Sequence, residues 1–261
     1  MKIALLQLDI KWEDKTGNFN KVKSLVEKIN DDKPDLIVLP ELFSTGYTMN
    51  SMALAENLNG ETPSFLSKLA REHQVNVLGS FIEIAGPKPK NSAILFDRKG
   101  RQLLHYSKIH LPSFLEEDKN YTAGNEIPIC ELDRQKIGVF ICYDLRFPEI
   151  FRRMAGDVGC IFVIANWPTE RVEHWDSLLK ARAIENQSYI IGVNRVGESP
   201  SSNYPGHSVI IDPLGSRIAY AKENEEDVVI GEIDFSIVKS IREKFPFLQD
   251  RVSLDSLIYR R

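Results

Sequence analysis

Cysteine is scarce in this chain: Cys130, Cys142 and Cys160 are the only three among 261 residues. The number is odd and no two stand in a CxxC spacing. That argues against a disulfide framework or a zinc ribbon and favours a reducing compartment. An excess of one charge sign is missing too. The 33 Lys and Arg are scattered among 37 Asp and Glu, for a formal net charge of −4. With no basic stripe to follow a phosphate backbone, no nucleic-acid partner is expected. No apolar run approaches the roughly 20 residues of a membrane helix, so no membrane partner is expected either. The opening MKIALLQLDIKWED is interrupted too soon for a signal peptide and alternates like a strand. Repeats and low-complexity tracts are absent, and 15 Gly with 13 Pro are ordinary counts. What remains is a chain that is 43% hydrophobic and 27% charged. It is long enough to bury a full core as one domain over 1–261, in the cytoplasm by default.

Periodicity then organises the chain. Met1–Ile10 reads as a strand, Asn18–Asn30 as a one-faced amphipathic helix, and the run DLIVL at 35–39 as a strand buried on both faces. This is a β-α-β opening, for which a right-handed crossover is expected. Thr62-Pro63 starts a second helix, with Pro in the first turn, that runs to about His73 before a strand at Asn76–Ile84. Ser92–Asp97 and Gln102–Ser107 flank the turn Arg98-Lys99-Gly100 as a hairpin, and Ile129–Leu132 with Lys136–Cys142 flank a second. A helix from Pro148, a strand at Cys160–Ala165, a helix at Glu173–Asn186 and four further strands between Tyr189 and Ile233 follow. The mixture of alternating and hairpin-linked strands predicts an α/β protein with mixed sheets and helices on the outside.

Three strands run into residues with chemistry. Glu41 directly follows DLIVLP, where an α/β sheet opens its ligand crevice, although a surface carboxylate is the commoner fate of a Glu. Lys108 ends LLHYSK and is either a snorkelling edge lysine or a fixed charge in a pocket. His105 and His110 lie nearby, but no cluster of ligand-type residues completes a metal site, and both read as ordinary polar positions. Cys142 is the sharpest signal. GVFIC is an apolar strand and YDLRFPEIF turns at once toward a helix, so the thiol projects from a sheet end beside free N–H groups. Cys130 and Cys160 lie inside strand-like runs and read as small buried hydrophobes.

The blocks LPELFSTGY, YSKIHLP and FICYDLRFPE, in this order and spacing, resemble the signatures of the nitrilase, or carbon–nitrogen hydrolase, superfamily. The resemblance spans nearly the whole chain. It implies a four-layer αββα sandwich of two mixed β-sheets, a catalytic triad of Glu41, Lys108 and Cys142, and assembly as a homodimer or higher homo-oligomer. The segment from about 236 to 261 would then serve as a C-terminal arm across the partner. A second glutamate of the family falls on Glu117 in EDKNYTAG, with Glu116 as its neighbour. The wording CYDLRFPE, VIANWP and ARAIENQSYIIGVNRVG is most similar to the ω-amidase branch, which hydrolyses the terminal amide of short dicarboxylic monoamides such as 2-oxoglutaramate and 2-oxosuccinamate.

These residue types suit amide hydrolysis without metal or organic cofactor. A free thiol has a pKa of about 8.5 and needs activation. Lys108 favours the thiolate and Glu41 accepts its proton. The Lys108 ammonium and the Tyr143 backbone N–H are the expected oxyanion donors. Glu117 would hold Lys108 or the substrate amide. Arg146 is the candidate for a substrate carboxylate, against a structural ion pair with Asp144 or Glu149. Tyr47, Phe114 and Trp167 are candidate pocket walls, Asn166 a candidate amide contact, and His174-Trp175 is assigned to a helix interface. The alternatives are an N-carbamoyl amide hydrolase with the same triad, and a non-catalytic small-molecule-binding protein on the same fold.

Overall fold

The five strands of the first half, joined by the last described strand of the chain, form one six-stranded sheet, and the remaining long runs of the second half form another. The computed structural model describes residues 1–252. The strands are β1 (Lys2–Gln7), β2 (Leu36–Val38), β3 (Asn76–Glu83), β4 (Lys90–Phe96), β5 (Gln102–Ser107), β6 (Ile129–Leu132) and β7 (Gln135–Ile141). They continue with β8 (Cys160–Ala165), β9 (Tyr189–Asn194), β10 (Val196–Ser199), β11 (Ser202–Pro205), β12 (Val209–Ile211), β13 (Arg217–Tyr220) and β14 (Asp227–Glu232). The α-helices are α1 (Lys15–Lys28), α2 (Ser51–Leu54), α3 (Glu61–His73), α4 (Glu117–Asn120), α5 (Pro148–Met154), α6 (Val172–Asn186) and α7 (Phe235–Lys244).

The first sheet has the order β14-β1-β2-β3-β4-β5 and the second β13-β12-β9-β8-β7-β6. Each is parallel at its centre, β1-β2-β3 and β7-β8-β9, and antiparallel toward both edges. Alternation along β1 explains the layering. Ile3 and Leu5 join the core shared with the second sheet, whereas Ala4 and Leu6 pack with Val22 and Leu25 of α1 and Leu66 and Leu69 of α3. On the other side Trp175, Leu179 and Ala183 of α6 close over β9. The approach is tight: a Cβ on Gly192 would lie 2.5 Å from Leu179 Cδ1 and 2.8 Å from Trp175 Cζ2. The result is the expected αββα sandwich with two mixed sheets.

Three local features go beyond the sequence reading. Helix α1 begins earlier than Asn18 because Asp14 caps it, accepting the Gly17 N–H at 2.8 Å. The hairpin β10–β11 forms from polar, Pro-bounded residues that carry no strand periodicity. Helix α7 occupies the start of the segment expected as an arm and is seated on its own chain. Arg242 reaches from it to the carbonyl oxygens of Ala155 (2.8 Å), Val158 (2.8 Å), Asn186 (3.2 Å) and Gln187 (3.1 Å), and to Ser188 Oγ (2.8 Å). The final part of that segment, 253–261, lies outside the described residues.

Because one guanidinium satisfies four carbonyl groups at loop ends, Arg242→Ala should lower unfolding stability by roughly 2–4 kcal/mol. Denaturant titration checks this, and a change below about 0.5 kcal/mol would show the helix to be held by its apolar face alone.

Candidate active site

Strand ends on both sheets deliver the chemistry to one pocket. Pro40 has no N–H to continue the β2 ladder, and the chain turns there. Glu41 follows, fully buried, and Leu42 takes φ +47 with its N–H on Ser80 Oγ at 2.7 Å. Lys108 stands at the end of β5, where its N–H meets Asn91 O at 2.9 Å and its carbonyl accepts from Gly124 N at 2.8 Å. Position 124 has no room for more than glycine, since a Cβ there would collide with the Ser107 carbonyl. Cys142 lies past the end of β7 with φ +46, a left-handed conformation rare for a residue with a side chain. It opens the helical turn Cys142–Arg146, whose first N–H groups have no partner within the turn.

Lys108 Nζ is the hub. It donates to Glu41 Oε1 at 3.1 Å and to Glu117 Oε2 and Oε1 at 2.8 and 3.1 Å, and only 1% of the residue is exposed. Glu117 is thus the glutamate that meets the lysine, whereas Glu116 points outward to Lys119 at 2.6 Å. Tyr47 donates its hydroxyl to Glu117 Oε2 at 2.9 Å, and its ring centroid lies 5.4 Å from Lys108 Nζ. Glu41 is fixed further by Asn91 Nδ2 on Oε1 (2.7 Å) and by the Asn166 N–H on Oε2 (2.8 Å). Asn166 Nδ2 also donates to the Glu41 carbonyl at 2.6 Å, and the Asn166 carbonyl faces Cys142 Sγ at 3.9 Å.

These contacts set the protonation states. Burial works against the Lys108 charge, but Glu117 and Glu41 outweigh it and hold the ammonium well above its ordinary value. Burial pushes Glu117 up, and the Glu41 charge adds to this against the pull of Lys108. Burial likewise pushes the Cys142 thiol well up; Glu41 raises it further, and Lys108 only partly offsets them. Lys108 thus favours the thiolate, the direction expected, but burial and Glu41 outweigh it and tip the resting sulfur toward the thiol.

Asp144, buried and missed as a site element by sequence reasoning, fixes the turn after Cys142. It accepts from Tyr106 Oη (2.6 Å), His110 N (3.0 Å) and Ile141 N (3.1 Å), and lies 2.8 Å from His110 Nδ1. It is thereby unavailable to Arg146. Arg146 has no carboxylate partner among the described residues. Its guanidinium lies over Trp167 (4.7 Å) and Tyr143 (5.8 Å), with both terminal nitrogens 3.3 Å from His174 Nδ1. His174 therefore meets Arg146, whereas Trp175 is core, with its Nε1–H on His207 O at 2.9 Å. His105 pairs with Glu83 at 2.8 Å, away from the triad. Cys160 is buried core and Cys130 half-buried.

The pocket is a cavity of about 110 Å³ with Cys142 and Lys108 in its wall beside Tyr47, Asn166, Trp167 and Phe114. Asn91 was not anticipated, and Asp144 only as an ion-pair partner of Arg146. Their only sequence signal is a polar residue in or beside an otherwise apolar strand run.

Residues 2–243 match the carbon-nitrogen hydrolase family model. The chain belongs to the carbon-nitrogen hydrolase family. It is 36% identical over 251 residues to a 2-oxoglutaramate amidase of Bacillus subtilis, covering 95% of this chain and 96% of the relative. With the omega-amidase YafV of Escherichia coli K12 it shares 34% identity over 96% of both chains. XC1258 of Xanthomonas campestris, a superfamily protein solved with an arsenic adduct in its active site, superposes with a TM-score of 0.92 at 31% identity, covering 97% of this chain and 98% of that one. Nit3 of Saccharomyces cerevisiae gives 0.86 at 27% identity over 94% of each. In this carbon-nitrogen hydrolase the protonated resting thiol has a direct consequence. Alkylation of Cys142 by iodoacetamide should accelerate with pH beyond the ordinary thiol value of about 8.5. A rate that levels off near neutrality would contradict the protonated state.

Proposed function

We propose that the protein hydrolyses the terminal amide of short carboxylate-bearing amides, of the ω-amidase type, to acid and ammonia through a thioester on Cys142. The carrying observation is the make-up of the pocket: a thiol and the Lys108 cluster in one wall, and in another an arginine with no carboxylate partner among the described residues. The size of the cavity supports a substrate of a few carbons, well below the 300–1,000 Å³ of pockets for drug-sized ligands. The similarity to a 2-oxoglutaramate amidase and to omega-amidases supports the same class.

Each step follows from the groups present. As Cys142 Sγ attacks the amide carbon, its proton passes to Glu41, so the thiolate never has to persist in the buried site. Charge moves to the former carbonyl oxygen, where the Lys108 ammonium and the Tyr143 N–H receive it. Glu41 then returns the proton to the departing nitrogen and ammonia leaves. Water attacks the thioester with Glu41 as base, releasing the acid and restoring the thiol. Glu117, hydrogen-bonded by Tyr47, holds the ammonium in register throughout. Arg146 receives the substrate carboxylate and sets its distance from the sulfur.

The test is ammonia release from 2-oxoglutaramate. Cys142→Ala should abolish it and Glu41→Gln should reduce kcat by at least ~100-fold. Wild-type turnover equal to that of Cys142→Ala would refute the reading, and release of carbon dioxide from an N-carbamoyl acid, without activity on ω-amides, would replace it by a carbamoylase.

A further inference from the structure

Every charged group in the pocket wall is a cation. Lys108, Arg146 and Arg171 line it, and among the described residues no Asp or Glu does. Lys108 is neutralised from behind by Glu41 and Glu117. Neither arginine has a carboxylate partner among the described residues. Some other guanidinium groups take carboxylates, as Arg98 does with Asp133 at 2.6 Å and Arg182 with Glu185 at 3.0 Å, and Arg242 takes backbone carbonyls. Here aromatic rings take that place: Trp167 lies 4.7 Å below Arg146, and Phe114 lies 5.7 Å from Arg171. A ring holds a guanidinium in position while leaving its charge for another group, although the Arg146 terminal nitrogens also meet His174 Nδ1 at 3.3 Å. Trp167 also ties the two together, since its Nε1–H donates to the Arg171 carbonyl at 2.6 Å.

Two like charges on one small pocket repel each other; burial, and to a lesser degree the Arg171 charge, disfavour the charge of Arg146. Without a ligand this is a local instability, and an anion relieves it. A carboxylate presents about four lone-pair sites, enough to accept from two guanidinium edges at once.

We propose that Arg171 is a second specificity-determining residue, which closes with Arg146 on the carboxylate at the far end of the amide substrate. This deepens the ω-amidase reading and rests on it for the identity of the reacting end. Arg171 touches the carboxylate rather than the reacting atoms. Its removal therefore weakens binding of charged amides relative to neutral ones.

Succinamate and butanamide make a matched pair, with a carboxylate or a methyl group at the far end. In the Cys142→Ala background, where neither is consumed, titration calorimetry gives affinity without turnover. Adding Arg171→Ala should weaken succinamate binding by at least ~10-fold, with Arg171→Lys recovering part of it. In the otherwise wild-type enzyme, Arg171→Ala should reduce the kcat/KM ratio of succinamate to butanamide by a similar factor, mainly through KM. Raising the salt concentration should weaken succinamate binding to the Arg171-containing protein more than to the Arg171→Ala form. Affinity of the Arg171→Ala form for succinamate within about twofold of the Arg171-containing protein, or no succinamate binding by the Arg171-containing protein itself, would overturn the assignment. Loss of affinity on substitution, in a protein whose wild type releases no ammonia from any ω-amide, would uphold the clamp and reject the amidase reading.

Discussion

A single ammonium shared by two buried carboxylates governs the rest of this structure. Lys108 is 1% exposed and Glu41 and Glu117 are fully buried, so none of the three has water to stabilise its charge. Breaking such an arrangement by removing one partner is costly, because the charges left behind stay desolvated. The surroundings are built to prevent this. Asn91 and Asn166 donate to Glu41, Tyr47 donates to Glu117, and each donor comes from a different part of the chain. Burial first, and then Glu41, raise the Cys142 thiol, and an ammonium shared by two carboxylates only partly offsets them. The Cys142 thiol therefore waits protonated beside a base, and attack and deprotonation become one event.

The sandwich explains how distant residues reach this point. Glu41 follows β2 and Lys108 follows β5 in one sheet, while Cys142 follows β7 and Asn166 follows β8 in the other. The parallel centres of both sheets run their C-terminal ends to the same side, the usual place for a ligand crevice. Strain is localised there as well, with Leu42 at φ +47 and Cys142 at φ +46 next to the reacting groups. Backbone in the left-handed region carries about 1–3 kcal/mol of strain that surrounding contacts must hold. Ser80 on the Leu42 N–H and Asp144 on the Ile141 N–H supply such contacts.

Much of this was legible in the sequence. DLIVLP followed by Glu41 and GVFIC followed by Tyr-Asp-Leu-Arg mark strands that stop at chemistry, since apolar runs and their breaks are read directly from residue type. Glu117 and Glu116 could not be separated that way. Their difference lies in the left-handed backbone at Glu116 (φ 60), which turns one side chain outward and its neighbour to Lys108. Asn91 and Asp144 escaped for a related reason: a hydrogen bond across 50 residues, as between Asn91 and Glu41, leaves no local periodicity. The hairpin β10–β11 and the seating of α7 by Arg242 are tertiary effects of the same kind. The raised Cys142 thiol follows only once its burial and the charges around Lys108 are known.

The direct test of this charge balance is a stability cycle on Lys108 and Glu117. Unfolding free energies of wild type, Lys108→Met, Glu117→Gln and the double variant would be compared by denaturant titration. Lys108→Met alone should be less stable by about 3–5 kcal/mol, because two buried carboxylates lose their only cation. Neutralising Glu117 in the same protein should restore more than half of that loss. A double variant no more stable than Lys108→Met would mean that the shared ammonium does not hold the site together.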